Sequence, residues 1–334
     1  MFSAPLWFIK KIDFTKGFSL NPSVLEYKFL KVLLKKEDFK FWIPQVPFLK
    51  QPLKRTKKAT DIMTNTVIIT GASQGIGKAT ALLFARHNYN VVLAARQLDR
   101  LEATAAQIRE LGQEAIAISC DVKDPLQVNN LIQKAIDHFG HIDVLINNAG
   151  IFCLGPVEDF SLDDWHQIID TNLWGYIHTI NAILPHFLER RKGTIVNVSS
   201  IGGIEPIPYH IPYTTTKYAI TGLTKSLHAE LSPKGIHVSG IYPSFISTQL
   251  MERAIFRGKN EETAQARSEL VGKAIQTPVL EKPEDVAKSI WEAVKDQRSD
   301  VMVGTTNFWK AIYHLSPNLM QSAFRRLFGM EERS

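Results

Sequence analysis

The chain has 334 residues, 45% of them hydrophobic, which is enough to bury a sizeable core in one large domain with or without an appendage. Its formal charge of +6 is lopsided: residues 1–60 carry 13 Lys+Arg against 4 Asp+Glu, while the remainder is slightly acidic, so the basic balance is no argument for nucleic-acid binding by the main body. Two cysteines, Cys120 and Cys153, are too few for a disulfide framework or a zinc cluster; no metal site is expected, and a reducing, cytoplasmic setting fits.

Residues 1–62 differ from all that follows. They are rich in Lys and Phe, and their apolar start from Ala4 to Ile9 is followed, not preceded, by Lys10 and Lys11, the wrong order for a secretory signal. Arg55 is the only arginine before residue 60, which argues against a transit peptide. No run reaches the roughly 18 apolar residues of a spanning helix. A basic amphipathic helix fits residues 19–36, whereas the three prolines of residues 42–52 forbid much regular structure. Three readings stand: an arm that binds a membrane or a partner, a packed extension, or a segment absent from the native product, with Met63 as the start. The expected layout is a basic extension at 1–62, a catalytic domain at 63–305 and a tail at 306–334.

From Thr66 the pattern turns regular. Short β-rich runs at 66–70, 90–94, 115–119, 143–146, 194–199, 236–241 and 301–303 alternate with helical stretches at about 75–87, 98–111, 126–139, 162–188 and 213–231. Such alternation predicts an α/β fold: one doubly wound, parallel, seven-stranded sheet with helices on both faces.

The first strand runs into Thr70-Gly71-Ala72-Ser73-Gln74-Gly75-Ile76-Gly77. Glycines let a backbone turn sharply beside a pyrophosphate, and the helix that follows offers free N–H groups at its positive end. The spacing Gly-x-x-x-Gly-x-Gly differs from the general Gly-x-Gly-x-x-Gly fingerprint, but its strand–turn–helix setting points to a dinucleotide. At the end of the second strand stands Leu93-Ala94-Ala95-Arg96, with no acid to hold the ribose hydroxyls of NAD. Arg96 suits a 2′-phosphate, so NADP(H) is expected over NAD(H). Further along, Tyr213 and Lys217 are one helical turn apart; an ammonium beside a phenol favours phenolate and brings proton transfer nearer neutral pH.

These residues, with Asp121-Val122, Asn147-Asn148-Ala149-Gly150, Asn172, Ser200 and the run from Pro243 to Thr248, occur in an order that resembles the short-chain dehydrogenase/reductase family over about residues 65–305. The resemblance implies a Rossmann fold and an NAD(P)-dependent oxidoreductase of CH–OH and C=O groups. It implies Tyr213 as general acid and base, with Lys217 lowering its pKa and holding the nicotinamide ribose. Ser200 would bind the substrate oxygen, and Asn172 would bend its helix and hold a proton-carrying water. Asp121 and Val122 would contact the adenine, Asn147, Ala149 and Gly150 the cofactor floor, and Pro243 and Thr248 the nicotinamide. Ser199 reads instead as a strand-end residue bonded to backbone, and His210 as a loop residue at the pocket rim. Two departures stand out. Thr216 occupies a position where the family usually has serine, and Pro243-Ser244 replaces the family's Pro-Gly.

The substrate end is less legible. The stretches 151–154, 201–209 and 245–276 supply Phe152, Ile204, Ile207, Tyr209, Phe245 and Met251, with Phe152 and Tyr209 as substrate candidates beside Ser200 and Tyr213. That lining suggests a hydrophobic carbonyl or alcohol. A 3-oxoacyl-thioester reductase is the rival enzyme, and a non-catalytic NADP-binding sensor the rival outside enzymes. A helical stripe at 307–330 (Leu319, Met320, Ala323, Phe324, Leu327 and Phe328) reads as a packing face or as a peripheral membrane contact. By analogy with relatives a homodimer or homotetramer is expected.

Overall fold

The computed structural model describes residues 64–244, 246, 253–275, 281–318 and 321–322. The expectations placed on residues 1–62, on Phe245, Thr248 and Met251, and on the stripe from Leu319 to Phe328 lie outside the described residues.

Strand β1 (Thr66–Thr70) is buried along its whole length, as a central parallel strand must be. Its residues alternate between two cores. Val67 and Ile69 join Phe84 of α1 (Gly75–Arg86), Leu101 and Ile108 of α2 (Leu98–Glu110), and Val286 and Ile290 of α8 (Pro283–Asp296). Ile68 faces the other way, toward Leu131 of α3 (Pro125–Phe139), Ile183 and Phe187 of α5 (Gly175–Arg190) and Ile220 of α6 (Ile211–Leu231). The period of two along the strand thus builds both layers at once.

The remaining strands are β2 (Asn90–Ala95), β3 (Ala115–Ser119), β4 (Val144–Asn147), β6 (Gly193–Val198), β7 (Ile236–Tyr242) and β9 (Asp300–Met302), in a seven-stranded sheet of order β3-β2-β1-β4-β6-β7-β9. Every pairing in it is parallel. The C-terminal ends therefore lie along one edge, and the order reverses between β1 and β4. Ligands of open parallel sheets bind at such a switch point.

Four features depart from the expectation. Helix α8 was not anticipated; its buried Val286, Ala287, Ile290 and Ala293 form one face, entered through Pro283 at its start. The single helix expected over 162–188 is α4 (Leu162–Ile169), a π-turn (Asp170–Trp174) and α5. A two-residue parallel pair, β5 (Cys153–Leu154) with β8 (Ile255–Phe256), followed by α7 (Glu261–Ile275), builds a wall beyond the sheet. The helix expected from residue 307 is α9 (Thr306–Leu315), interrupted at Ser316, whose extended backbone (φ −152°) precedes Pro317. Among the described residues no helix is long and apolar enough to cross a membrane.

Two buried carboxylates carry opposite electrostatics. Asp143, at the entry to β4, accepts the Thr66 N–H at 3.0 Å and meets Arg190 at 3.0 Å, His141 at 3.2 Å and Lys192 at 3.3 Å. Burial raises its pKa, but these donors together hold it below the usual carboxylate range. Glu205 is fully buried, and neither of its oxygens has a hydrogen-bond partner. Burial pushes its pKa up to about 7 against the opposing pull of Lys310 on α9. Tyr218 also faces it.

Asp143→Ala, which removes the buried acceptor shared by the Thr66 N–H and Arg190, should lower unfolding free energy by roughly 1–3 kcal/mol in urea titration; a loss near zero would show the cluster to be incidental. For Glu205 the folded state favours the neutral acid. Its contribution is present below about 4.5 and fades as pH rises through about 7. Glu205→Gln should match the wild type near pH 5 and exceed it by about 1–3 kcal/mol near pH 8; a difference independent of pH would contradict this.

Candidate active site

Four side chains expected to act together do lie together. Ser200, in the turn after β6, lies beside the Tyr213 phenol, and its Oγ accepts the Gly202 N–H at 3.1 Å. Lys217, one turn along α6, directs Nζ to the Val198 carbonyl at 2.8 Å. That carbonyl also accepts the Tyr176 hydroxyl at 2.9 Å. The ammonium lies between two rings, 5.5 Å from the centroid of Tyr213 and 5.6 Å from that of Tyr176. All are buried, Lys217 at 4% and Tyr213 at 8% exposure. Burial pushes the Tyr213 phenol up to about 12, with Ser200 pulling the other way, and burial pushes Lys217 down to about 7. The sequence argument took the ammonium as the dominant influence on the phenol; here desolvation dominates both groups and favours the neutral form of each.

Asn172 stands in the π-turn between α4 and α5. Its Oδ1 accepts the Ile151 N–H at 2.8 Å and its Nδ2 donates to the Ile151 carbonyl at 2.9 Å. The same Nδ2 donates to Thr216 Oγ1 at 3.2 Å, and Thr216 in turn donates to the Tyr213 carbonyl at 2.7 Å. The threonine that departs from the usual pattern thus ties Asn172 to α6. Ser199 turns away from the cleft, donating to the Lys217 carbonyl at 3.1 Å.

Space decides whether the glycine turn suits a dinucleotide. Gly71 and Gly75 have φ of +66° and +54°, and a Cβ on Gly77 would stand 2.3 Å from the Gly71 carbonyl oxygen. A Cβ on Gly71 would meet Ala149 Cα at 2.9 Å. No side chain caps the N-terminus of α1 at Gln74, so its first N–H groups face the turn. The residues present therefore fit a pyrophosphate against bare backbone. Asn148, to which the sequence argument gave no role, holds this cradle: its Nδ2 donates to the Thr70 and Gly71 carbonyls at 3.0 and 3.3 Å. Thr70 Oγ1 accepts the N–H groups of Asn148 and Ala149 at 3.0 and 3.1 Å.

Asn147 differs from its expected place on the cofactor floor. It is fully buried, bonded to Asn197 at 3.0 Å and Thr179 at 2.6 Å, and it braces β4 against β6 and α5. Gly150 lies against Asn172, whose Oδ1 is 3.3 Å from an ideal Cβ there. Ser73 is buried and Ile76 half-buried in the turn. Asp121 accepts the Lys123 N–H at 3.1 Å, and Val122 packs under Gly175. Arg96 is exposed at the tip of β2. Pro243 accepts the Ile201 N–H at 2.8 Å. Ser244, the other departure, donates to the Glu281 carboxylate at 2.6 Å, and Glu281 also accepts the Thr305 N–H at 2.9 Å against Gly304.

On the substrate side, Phe152 packs edge-on against Tyr213 at 5.2 Å and His210 at 5.0 Å. His210 is buried, not at the rim; burial pushes its pKa down to about 4 and its Nδ1 meets the Pro208 carbonyl at 2.7 Å. Such an imidazole is neutral at physiological pH and works by packing. Tyr209 occupies the left-handed region at φ +63°, held by the Gly155 N–H on its carbonyl at 2.9 Å, with Arg267 of α7 5.6 Å over its ring. Ile207 and Ile201 pack under Ile312 and Tyr313 of α9 and belong to a small core. Both cysteines are free and buried, and among the described residues no cluster could hold a metal ion.

A family model described as short chain dehydrogenase matches residues 65–257. Oxidoreductase UcpA of Escherichia coli is 37% identical over 246 residues, spanning 72% of this chain and 91% of that protein. An uncharacterized oxidoreductase of Staphylococcus epidermidis is 33% identical over 217 residues, spanning 65% and 93%. Among solved structures, a short chain dehydrogenase/reductase from Burkholderia phymatum in complex with NAD superposes with a TM-score of 0.70 at 27% identity, covering 77% of this chain and 95% of that one. An actinorhodin polyketide ketoreductase with NADPH does so at 0.63 and 26% identity, covering 72% and 95%. The switch-point cradle, the buried Ser200–Tyr213–Lys217 set and these likenesses lead to one assignment: the chain belongs to the short-chain dehydrogenase/reductase family, NAD(P)-dependent oxidoreductases of CH–OH and C=O groups.

Proposed function

We propose that this chain is an NADP(H)-dependent reductase of a hydrophobic carbonyl compound, or dehydrogenase of the corresponding secondary alcohol. The observation that carries the reading is the placement of Ser200 beside the buried Tyr213 phenol, with Lys217 behind it. Two neighbouring hydroxyls define a point where one carbonyl oxygen can accept from both. Ser200 steadies charge developing on that oxygen. Tyr213 delivers a proton to it in reduction and takes one back in oxidation. The raised phenol pKa keeps that proton in place at neutral pH. Lys217 and the π-turn at Asn172 supply the route by which Tyr213 is reprotonated.

The nicotinamide, when bound, gives or takes the hydride at the carbonyl carbon. The glycine turn from Gly71 to Gly77 would hold its pyrophosphate and Lys217 its ribose. The preference for NADP(H) is supported by Arg96 at the β2 tip and by Ala94 and Ala95 where an acid would serve NAD. A hydrophobic substrate is supported by Phe152 against Tyr213. The likeness to a polyketide ketoreductase favours a 3-oxoacyl thioester as the second substrate reading. A non-catalytic sensor has no use for a buried proton donor with a serine beside it. Pairing of two copies through α5 and α6 is supported by the exposed Trp174, Leu188 and Tyr218 on and beside those helices.

The test is a panel of ketones, aldehydes, quinones and 3-oxoacyl thioesters with each cofactor. We expect kcat/KM to favour NADPH over NADH, and Arg96→Ala to weaken NADPH binding by roughly ten-fold or more while leaving NADH unchanged. A wild-type preference for NADH would overturn the cofactor assignment.

A further inference from the structure

The β2 tip is approached by more than the arginine that follows it. Arg96 leaves β2, and Gln97 is the N-cap of α2. Arg253, 156 positions further along and two residues ahead of β8, donates from Nη2 to Gln97 Oε1 at 2.6 Å. Arg100, in the first turn of α2, donates from Nη1 to Gln74 Oε1, and Gln74 is the N-cap of α1 in the glycine turn. Arg100 and Arg253, from distant stretches of chain, thus reach the turn after β1 and the residue that follows Arg96. The neighbouring acid Glu102 is engaged elsewhere, with Arg109 at 3.4 Å.

We propose that Arg253 and Arg100 join Arg96 in gripping the 2′-phosphate of NADP(H), so that the segment entering β8 reads cofactor identity directly. The proposal rests on the NADP(H) reading above. Each arginine makes one of its contacts to a neutral amide oxygen, of Gln74 or Gln97. A guanidinium bond to a phosphate dianion is charge-assisted and about twice as strong as a bond to a neutral acceptor, so a 2′-phosphate competes for these donors and a ribose hydroxyl does not. Three cations on one dianion also suit the spread of its oxygens. The position of Arg253 has a consequence for the substrate side. Two residues on, the Ile255 N–H bonds the Phe152 carbonyl at 2.9 Å, and Phe152 packs on Tyr213. The grip on the adenosine end is therefore continuous with the wall beside the proton donor.

The experiment is calorimetric titration of the full chain with two fragments lacking nicotinamide, adenosine 2′,5′-bisphosphate and adenosine 5′-monophosphate. The wild type should bind the bisphosphate at least ten-fold tighter, on the order expected for charge-assisted contacts. Arg253→Gln should cost roughly ten-fold for the bisphosphate and nothing for the monophosphate, with Arg253→Lys intermediate and Arg100→Gln behaving like Arg253→Gln. Equal losses for both fragments would assign Arg253 a structural role and overturn the proposal. A wild-type preference for the bisphosphate that survives in Arg253→Gln would overturn it while leaving the NADP(H) reading intact. A wild type with no preference would overturn that reading, and this proposal with it.

Discussion

Keeping Lys217 dry is the constraint on which the site depends. An amine at 4% exposure loses most of its hydration, and that loss brings its pKa down to about 7. The surroundings offset part of the cost: the Val198 carbonyl at 2.8 Å and two tyrosine rings at 5.5 and 5.6 Å. Val198 is the last residue of β6, and its carbonyl is fixed by the sheet on one side and by Tyr176 of α5 on the other. The same burial holds the Tyr213 proton firmly. One physical cause therefore shifts both groups toward their neutral forms.

The sheet makes this arrangement possible by topology. Because all seven strands are parallel, β1, β2, β3, β4, β6 and β7 all deliver their following turns to one edge. The glycine turn, Arg96, Asp121, Asn148, Ser200 and Pro243 arrive there from stretches far apart in sequence. Cross-ties then fix their spacing. Asn148 binds the turn after β4 to the turn after β1, Asn172 binds Ile151 to α6 through Thr216, and Asn147 with Asn197 braces β4 against β6. Asn147, Asn172 and Asn197 are fully buried and hydrogen-bonded, the condition under which polar groups rigidify a core.

Much of this was legible because two signals were strong. Alternating β-rich and helical stretches gave the sheet from Thr66 to Tyr242, and glycines at 71, 75 and 77 marked a turn that geometry shows will admit no Cβ at Gly77. The rest failed for identifiable reasons. Helix α8 was missed because Val286, Ala287, Ile290 and Ala293 are spread among charged residues and make a narrow apolar face. The π-turn at Asn172 leaves no periodic mark in a stretch that otherwise reads as helix. Asn147 was placed on the cofactor floor because motif position does not tell which amides point inward. Arg253 and Glu205 were invisible because their meaning lies in contacts, with Gln97 in one case and with none in the other. His210 was put at the rim because a histidine in a loop gives no sign of its burial.

The central claim is that Tyr213 is the proton donor of a carbonyl reductase. Its most direct test compares the wild type with Tyr213→Phe, following NADPH consumption with a hydrophobic carbonyl and measuring NADPH affinity on the same preparations. The account predicts turnover by the wild type and a fall of roughly 10²–10⁴ in Tyr213→Phe with cofactor affinity retained. A phenylalanine variant that turns over as fast as the wild type, or a wild type inert toward every carbonyl class, would contradict it.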